Sequence, residues 1–271
     1  MLYIIGLGLG WKDLSMKALE ALSECQEVYL ETYTSAADFT PLQLQKLLGK
    51  PIHLLDRKQT EEELLFLEEA GMKNVALLVY GDPLAATTHQ ELLLLAKKQN
   101  IKAQIVHAPS IFTVVAETGL SLYRFGKVTS IPIPTENYKP ESFFDVLKEN
   151  QSIGAHTLFL LEIKTETGKS LKIGEAINIL LEINKTRAEK ISAGPSGTSS
   201  ALERKESAIT EETPVIGCAR LGTENSMIKM GKASEISKVD FGSPPCVLIV
   251  PSVLNHKEEE YLELVRGHDK R

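Results

Sequence analysis

The 271-residue chain is poor in cysteine: Cys25, Cys218 and Cys246 are all it has, and they lie far apart. No two of them form a Cys-x-x-Cys pair, so neither a zinc motif nor a thiol-redox motif is present, and the sparse, odd count fits a reducing compartment. Basic charge is not in excess either. The 30 Lys and Arg face 36 Asp and Glu, a net charge of -6, which argues against a broad basic face for nucleic acid. No apolar run approaches the ~18 residues of a membrane span. The opening MLYIIGLGLGWKD has too short an apolar run for a signal peptide and no basic leader. Internal repeats and low-complexity stretches are missing. The expectation is a soluble, cytoplasmic protein with no nucleic-acid or membrane partner. The apolar content, 43%, is ordinary and sufficient for a core, and the length suits one large domain or two small ones.

What is there is an alternation. Leu2 to Gly6 reads as a buried strand, Ser15 to Ser23 as a helix with Met16, Leu19, Ala21 and Leu22 towards the core, and Glu27 to Glu31 as a second strand ending at Tyr33-Thr34-Ser35. Pro41 to Leu48 is expected to be helical, Ile52 to Leu55 a short strand, and Glu61 to Ala70 a helix whose early acids suit the macrodipole. Val75 to Tyr80 is a further buried strand, broken by Gly81-Asp82-Pro83. A helix is expected near Thr88, because Thr88 and Glu91 have the spacing of a capping box. Ile101 to His107 closes the set. Such alternation predicts a parallel sheet covered on both faces.

Beyond Ala108 the pattern loosens. Ser110 is a plausible N-cap for the segment SIFTVVAETGL. Strands are expected over 126–134, 157–163, 214–221 and 246–250, and helices over 143–147, 173–183 and 258–265. Residues 186–212 are polar, with Gly194-Pro195-Ser196-Gly197 the strongest loop signal. The chain thus reads as two α/β domains, 1–108 with a parallel sheet and 109–271 with a mixed sheet.

Two stretches carry chemistry. Gly6, Gly8 and Gly10 lie between a strand and a helix, but the third glycine of G-x-G-x-x-G is missing: from Gly6 that position is Trp11, and from Gly8 it is Asp13. Glu31 sits where a ribose-binding acid would lie. A nucleotide-type ligand and a plain tight turn using glycine's conformational freedom both remain open, and a ligand contact at Leu9 would run through its backbone. Asp82 ends a strand on the edge where ligands of open α/β sheets bind, although Asp and Pro are also ordinary turn residues. His89 reads as surface or lightly packed, His107 ends a strand, and neither is assigned a role. Glu61 to Glu63 and Glu258 to Glu260 read as solvated helix starts. No Ser-His-Asp arrangement and no carboxylate pair supports hydrolysis.

MLYIIGLGLG, ETYTS, GDPLAATTH, HAPSIFTVVAETGLSLYRFGKVTSIP, LLEIK, IGEAINILLEI, ARLG and DFGSPP with the LIVPS and EEEYL that follow, in this order, resemble the diphthine synthase family. The likeness spans almost the whole chain. GDPLAATTH and the HAPSI-to-GK-to-IP block are specific, whereas the glycine start is shared across the tetrapyrrole methylase superfamily to which that family belongs. The resemblance implies a class III S-adenosylmethionine-dependent methyltransferase, a homodimer of two-domain subunits with the cofactor in the cleft between the domains. It implies methyl transfer to the amino nitrogen of a 3-amino-3-carboxypropyl group on one histidine of translation elongation factor 2, giving diphthine; eukaryotic relatives add a methyl ester. The cofactor contacts it implies fall on Leu9, Asp82, Ala85, Ser110, Ile111, Leu161, Leu221 and Cys246. At the last of these the family usually has histidine, and at Glu162 it usually has Asp. No catalytic side chain and no metal ligand is implied. The rival readings are a precorrin-type tetrapyrrole methyltransferase, against which the GDPLAATTH block argues, and an NAD-dependent oxidoreductase, against which the faulty glycine fingerprint argues.

Overall fold

The structure, a computed structural model, describes residues 1–34, 39–193 and 208–268. It divides into two compact units: Met1–Val115 with Ile163–Lys169 and Leu221–Asn225, and the remaining described residues.

In the first unit the alternation becomes β1 (Leu2–Gly6), α1 (Met16–Glu24), β2 (Glu27–Glu31), α2 (Pro41–Leu48), β3 (His53–Leu55), α3 (Leu65–Ala70), β4 (Val75–Val79), α4 (Gln90–Lys98), β5 (Ala103–Val106) and the short α5 (Ile111–Val114). The strands form one parallel sheet in the order β3-β2-β4-β1-β5. Alternate residues feed two cores. Tyr3, Ile5 and Leu7 pack with Ala18, Ala21, Leu22 and Leu44 from α1 and α2; Leu2 and Ile4 pack with Phe66, Leu67, Leu92 and Ala96 from α3 and α4. Both faces are therefore covered, which is why β4 is buried at every position. The connections leaving β1 and β4, neighbours in the sheet, head to opposite sides. That makes the pair a topological switch point, the place on open α/β sheets where ligands bind.

Several local expectations need correction. In α1 the buried residues are Ala18, Ala21 and Leu22, while Met16 and Leu19 are exposed. The 100° step of the helix places 18, 21 and 22 on one face, and Met16 falls outside it. The helix expected over 61–70 is broken. Its start signal is Asp56, whose carboxylate accepts from Gln59 N–H at 2.8 Å while Gln59 reaches back to Asp56 N–H at 3.0 Å. A wide π turn follows over Gln59–Glu63, and Leu64 at φ 53° separates it from α3. The Thr88 capping box does not form: α4 begins at Gln90, and the preceding His89 has helical φ and ψ with no side-chain cap. A capping residue needs extended φ and ψ to aim its side chain at the helix amides.

The second unit holds β6 (Thr129–Ile131), α6 (Ser142–Ser152), β7 (Thr157–Leu161), α7 (Ile173–Ala193), β10 (Pro214–Ala219), β11 (Met227–Lys232), α8 (Ala233–Ile236), β12 (Cys246–Val250) and α9 (His256–His268); between β7 and α7 the chain forms a two-stranded ribbon of β8 (Ile163–Lys164) and β9 (Lys169–Ser170), of which residues 163–169 belong to the first unit. The sheet order is β11-β10-β12-β7-β6, with β6 and β7 parallel and the other pairs antiparallel, so it is mixed as expected. The core holds Phe143, Phe144 and Leu147 from α6 and Ile173, Ala176, Ile177 and Leu180 from α7, against Phe159, Val215 and Leu248. The 3- and 4-residue spacing along α7 is that of an amphipathic helix. The strand expected over 157–163 stops at Leu161, because Glu162 turns its backbone to Ile131 and Leu171 and its carboxylate to Ile133 N–H. The helix expected over 173–183 runs ten residues further, to Ala193. The loop signal at 194–197 and Ser35 lie outside the described residues.

The glutamates 258–260 are not all solvated. Glu258 is 2% exposed. It accepts from Ser121 N–H at 2.9 Å and Asn255 N–H at 2.8 Å and lies 3.4 Å from both His156 Nε2 and Arg124 Nε. His156 Nδ1 accepts from Ser252 N–H at 3.0 Å, so its proton sits on Nε2 and is offered to Glu258. Burial pushes the Glu258 carboxyl up, but the Asn255 and Ser121 amides and His156 outweigh it, and the group ends below its ordinary range. This buried knot ties the 121–124 turn to the start of α9.

Candidate functional site

At the carboxyl edge of the parallel sheet, the loops after β1 and β4 are zipped together. Gly8 N–H donates to Gly81 carbonyl at 3.2 Å, and Gly81 N–H donates back to Gly8 carbonyl at 2.8 Å. The three glycines differ in purpose. Gly8, at φ +73°, turns the chain in a region few side chains adopt. Gly6 allows close approach: a Cβ there would lie 2.6 Å from the Gly81 carbonyl oxygen, 2.8 Å from Ala108 Cβ and 2.9 Å from Pro83 Cδ. Gly10 is extended, and its Cβ would meet nothing nearer than 4.0 Å.

Asp13 is the residue that sequence reasoning passed over. Its Oδ2 accepts from both Leu9 N–H and Gly10 N–H at 2.9 Å. The spacing of an acid three residues after Gly10 is the signal that could have found it. With Gly8 N–H bonded to Gly81, all three successive amides of the loop are occupied, and at Leu9 only the carbonyl is left to meet a ligand through the backbone.

Asp82 ends up at this edge, 12% exposed at its side chain. Its Oδ1 accepts from Leu84 N–H at 2.9 Å and its Oδ2 from Ala108 N–H at 3.1 Å, with His107 Nδ1 2.8 Å away. A carboxylate has about four acceptor positions, so three are engaged and one is left. The same carboxylate staples the β4 loop to the β5 loop. Ala85 follows in a turn closed by its N–H to Asp82 carbonyl, 3.1 Å. Ser110 caps α5 as expected, its Oγ accepting from Phe112 N–H at 3.3 Å, which fixes Ile111 as the first helical residue.

Leu9, Asp82, Ala85, Ser110 and Ile111 thus share one edge of the first unit. Leu221 belongs to that unit too. The adjoining Gly222 would bring a Cβ to 2.7 Å from Leu9 Cδ1 and 3.1 Å from Val114 Cγ1. Leu161 and Cys246 are in the second unit, at the same end of the neighbouring antiparallel strands β7 and β12 and in one core cluster. Cys246 is buried, and burial pushes its thiol up despite nearby Arg220.

Glu31 is not a ribose-facing acid at the surface. It is fully buried, with Thr34 Oγ1 donating to its Oε1 at 2.5 Å. Burial pushes its carboxyl up to about 7, with Thr34 and Arg57 opposing and Glu61 adding to the rise. His89, expected near the surface, is also buried.

Residues 1–237 match the family of Tetrapyrrole (Corrin/Porphyrin) Methylases. The diphthine methyl ester synthase of Bos taurus is 38% identical over 97% of this chain and 94% of its own length. The diphthine synthase of Methanocaldococcus jannaschii is 37% identical over 97% and 98%. The chain belongs to the diphthine synthase family. It is accordingly a methyltransferase. A crystal structure of diphthine synthase matches at 32% identity with a TM-score of 0.82, covering 97% of this chain and 95% of that one, and the fold is that of the class III methyltransferases. Among the described residues no helix is long and apolar enough to cross a membrane.

Proposed function

We propose that the chain uses S-adenosylmethionine to methylate the amino group of a 3-amino-3-carboxypropyl-histidine on translation elongation factor 2, yielding diphthine. The names of the family relatives, matched over nearly their full lengths, support the substrate. The observation that carries the cofactor is the occupied glycine loop. A dinucleotide's pyrophosphate needs free loop amides. Here Leu9 and Gly10 N–H already face the Asp13 carboxylate, and Gly8 N–H faces Gly81. An incoming diphosphate would meet negative charge instead, and the segments 7–10, 81–89 and 108–111 contain no Lys or Arg to offset it. What this edge offers is acceptors: the Leu9 carbonyl and the open position on Asp82. That set suits a ligand bringing hydroxyl and ammonium donors and a positive sulfonium.

When bound, the cofactor would supply an electrophilic methyl group on a sulfonium. The chain's part is to align. Asp82, fixed by three partners, and the zipped loops present acceptors that do not need to reorganise. Holding amine and methyl carbon in line can contribute up to roughly 7–11 kcal/mol of the barrier. The amine loses its proton to water before attack, and no side chain acts as an indispensable base. The homodimer and the cytoplasmic location are part of the same reading.

The test is calorimetry of the full chain with S-adenosylhomocysteine and with NAD, followed by separate incubations with labelled S-adenosylmethionine and either elongation factor 2 carrying the modified histidine or a precorrin-type tetrapyrrole. S-adenosylhomocysteine binding and label on that histidine are expected. Binding of NAD alone would overturn the cofactor, and label transferred only to a tetrapyrrole would overturn the substrate.

A further inference from the structure

Two buried polar atoms of the first unit face each other with no hydrogen-bond partner among the described residues: Glu31 Oε2 and His89 Nε2, 4.0 Å apart. They join the end of β2 to the loop 81–89. The far side of the imidazole is committed, because Nδ1 lies 3.2 Å from the Pro83 carbonyl oxygen. A carbonyl can only accept, so Nδ1 carries a proton, and in a neutral ring Nε2 is left as an acceptor. Glu31 must therefore supply the proton, or His89 must hold a second one against a carboxylate. Either way a single proton belongs between Oε2 and Nε2, and a shift of about 1 Å would bring them to hydrogen-bond distance.

The surroundings anchor the same loop. Thr87 Oγ1 donates to Pro83 carbonyl at 2.6 Å. Thr88 Oγ1 and Tyr33 OH both donate to Glu61 Oε1, at 3.3 and 3.0 Å. This is where the threonine went that fails to cap α4. His89 thus grips the carbonyl of Pro83, the residue next to Asp82.

We propose that Glu31 and His89 are positioning residues: one proton shared between Oε2 and Nε2 closes the loop 81–89 onto β2 and holds Asp82 in place for the methyl donor. This rests on the cofactor reading given above. The charged and titratable groups facing the pair are Glu61, Arg57, Tyr33 and Tyr80. Glu61 and Arg57 act on Glu31 with opposite sign.

The test pairs spectroscopy with binding on the full chain. Imidazole nitrogen NMR, with His89 assigned by its loss in His89→Asn, is expected to show Nδ1 protonated and Nε2 in a hydrogen bond that strengthens when S-adenosylhomocysteine is added. An Nε2–H tautomer with bare Nδ1 would overturn the proposal. In calorimetry Glu31→Leu should weaken S-adenosylhomocysteine about tenfold, the loss of one buried hydrogen bond. Glu31→Gln, whose amide can donate to Nε2, should stay within about threefold of the parent by the same reckoning. The parent's affinity should fall above about pH 7 as Glu31 loses its proton, and that of Glu31→Gln should not. A parent and a Glu31→Leu variant of equal affinity, or, should Glu31→Leu not fold, identical pH profiles for parent and Glu31→Gln, would refute it. A parent that binds no S-adenosylhomocysteine at all would instead refute the cofactor reading, and the tautomer would still report on the shared proton.

Discussion

Gly6→Ala asks the most of the site for the smallest change, one methyl group. The added Cβ would stand 2.6 Å from the Gly81 carbonyl oxygen, 2.8 Å from Ala108 Cβ and 2.9 Å from Pro83 Cδ. None of the three is the end of a flexible side chain: they are backbone, a methyl fixed to backbone and a proline ring. Relief must come from moving whole segments. Those segments are held by the two Gly8–Gly81 bonds and by Ala108 N–H to Asp82. Overpacking by a methylene costs ~1–3 kcal/mol, and with three rigid neighbours we expect the upper end, about 3 kcal/mol. Because the displaced segments carry Asp82, S-adenosylhomocysteine affinity should fall by at least about tenfold as well. Gly10→Ala is the matched control: same chemistry, four residues on, extended backbone and nothing within 4.0 Å, expected within about 0.5 kcal/mol of the parent. Urea unfolding and calorimetry read both quantities. A Gly6→Ala protein as stable and as tightly binding as Gly10→Ala would refute the close-approach account of the glycine loop.

Asp13→Ala frees the Leu9 and Gly10 amides; we expect a loss of ~1–3 kcal/mol in urea unfolding and a weaker site, whereas a gain in S-adenosylhomocysteine affinity would contradict the ordering role of that carboxylate. Glu31 makes stability pH-dependent: its folded value of about 7 lies above the 4.5 of a free carboxyl, so the folded state keeps a proton that the unfolded state has released, and stability falls as pH rises from 4.5 through 7, by ~3 kcal/mol in all. Glu31→Gln should show a flatter curve over that window, and an unchanged slope would count against a buried, protonated Glu31. Glu258→Ala strips partners from His156, Arg124 and two backbone amides at once and should cost ~3–5 kcal/mol by thermal or urea melts; a loss under 1 kcal/mol would mean that the knot is not cooperative. Cys246→Ala should leave S-adenosylhomocysteine affinity within about threefold if contact there is through the backbone.

What could be read in the sequence and what could not divide along a physical line. Continuous apolar runs and helix period are local, so β4, α2 and β12 fall where their apolar pattern puts them. Ser110 was legible as a cap because capping needs only its own turn. Thr88 had the same local credentials and failed, because Glu61, 27 residues earlier, offers its hydroxyl a partner and His89 is drawn inward by Pro83 and packing beside Glu31. Glu258 misled in the same way: a first-turn acid suits any helix, but only the chain's return past Ser121, 137 residues away, makes it a buried acceptor. The candidate site repeats the lesson. Asp82 could be placed at a strand's end from its neighbours alone. The bonds of Asp13 to the Leu9 and Gly10 amides lie within one loop and belong to the local part as well. That the Asp82 carboxylate also binds Ala108 N–H depends on which loops meet at one sheet edge. The strand order β4-β1-β5 decides that, and alternation fixes the presence of strands but not their order. The preference we propose for this edge, a cation-bearing ligand over a diphosphate, therefore combines a local device, Asp13 on the glycine loop, with one set by topology, Asp82 held by the loop after β5.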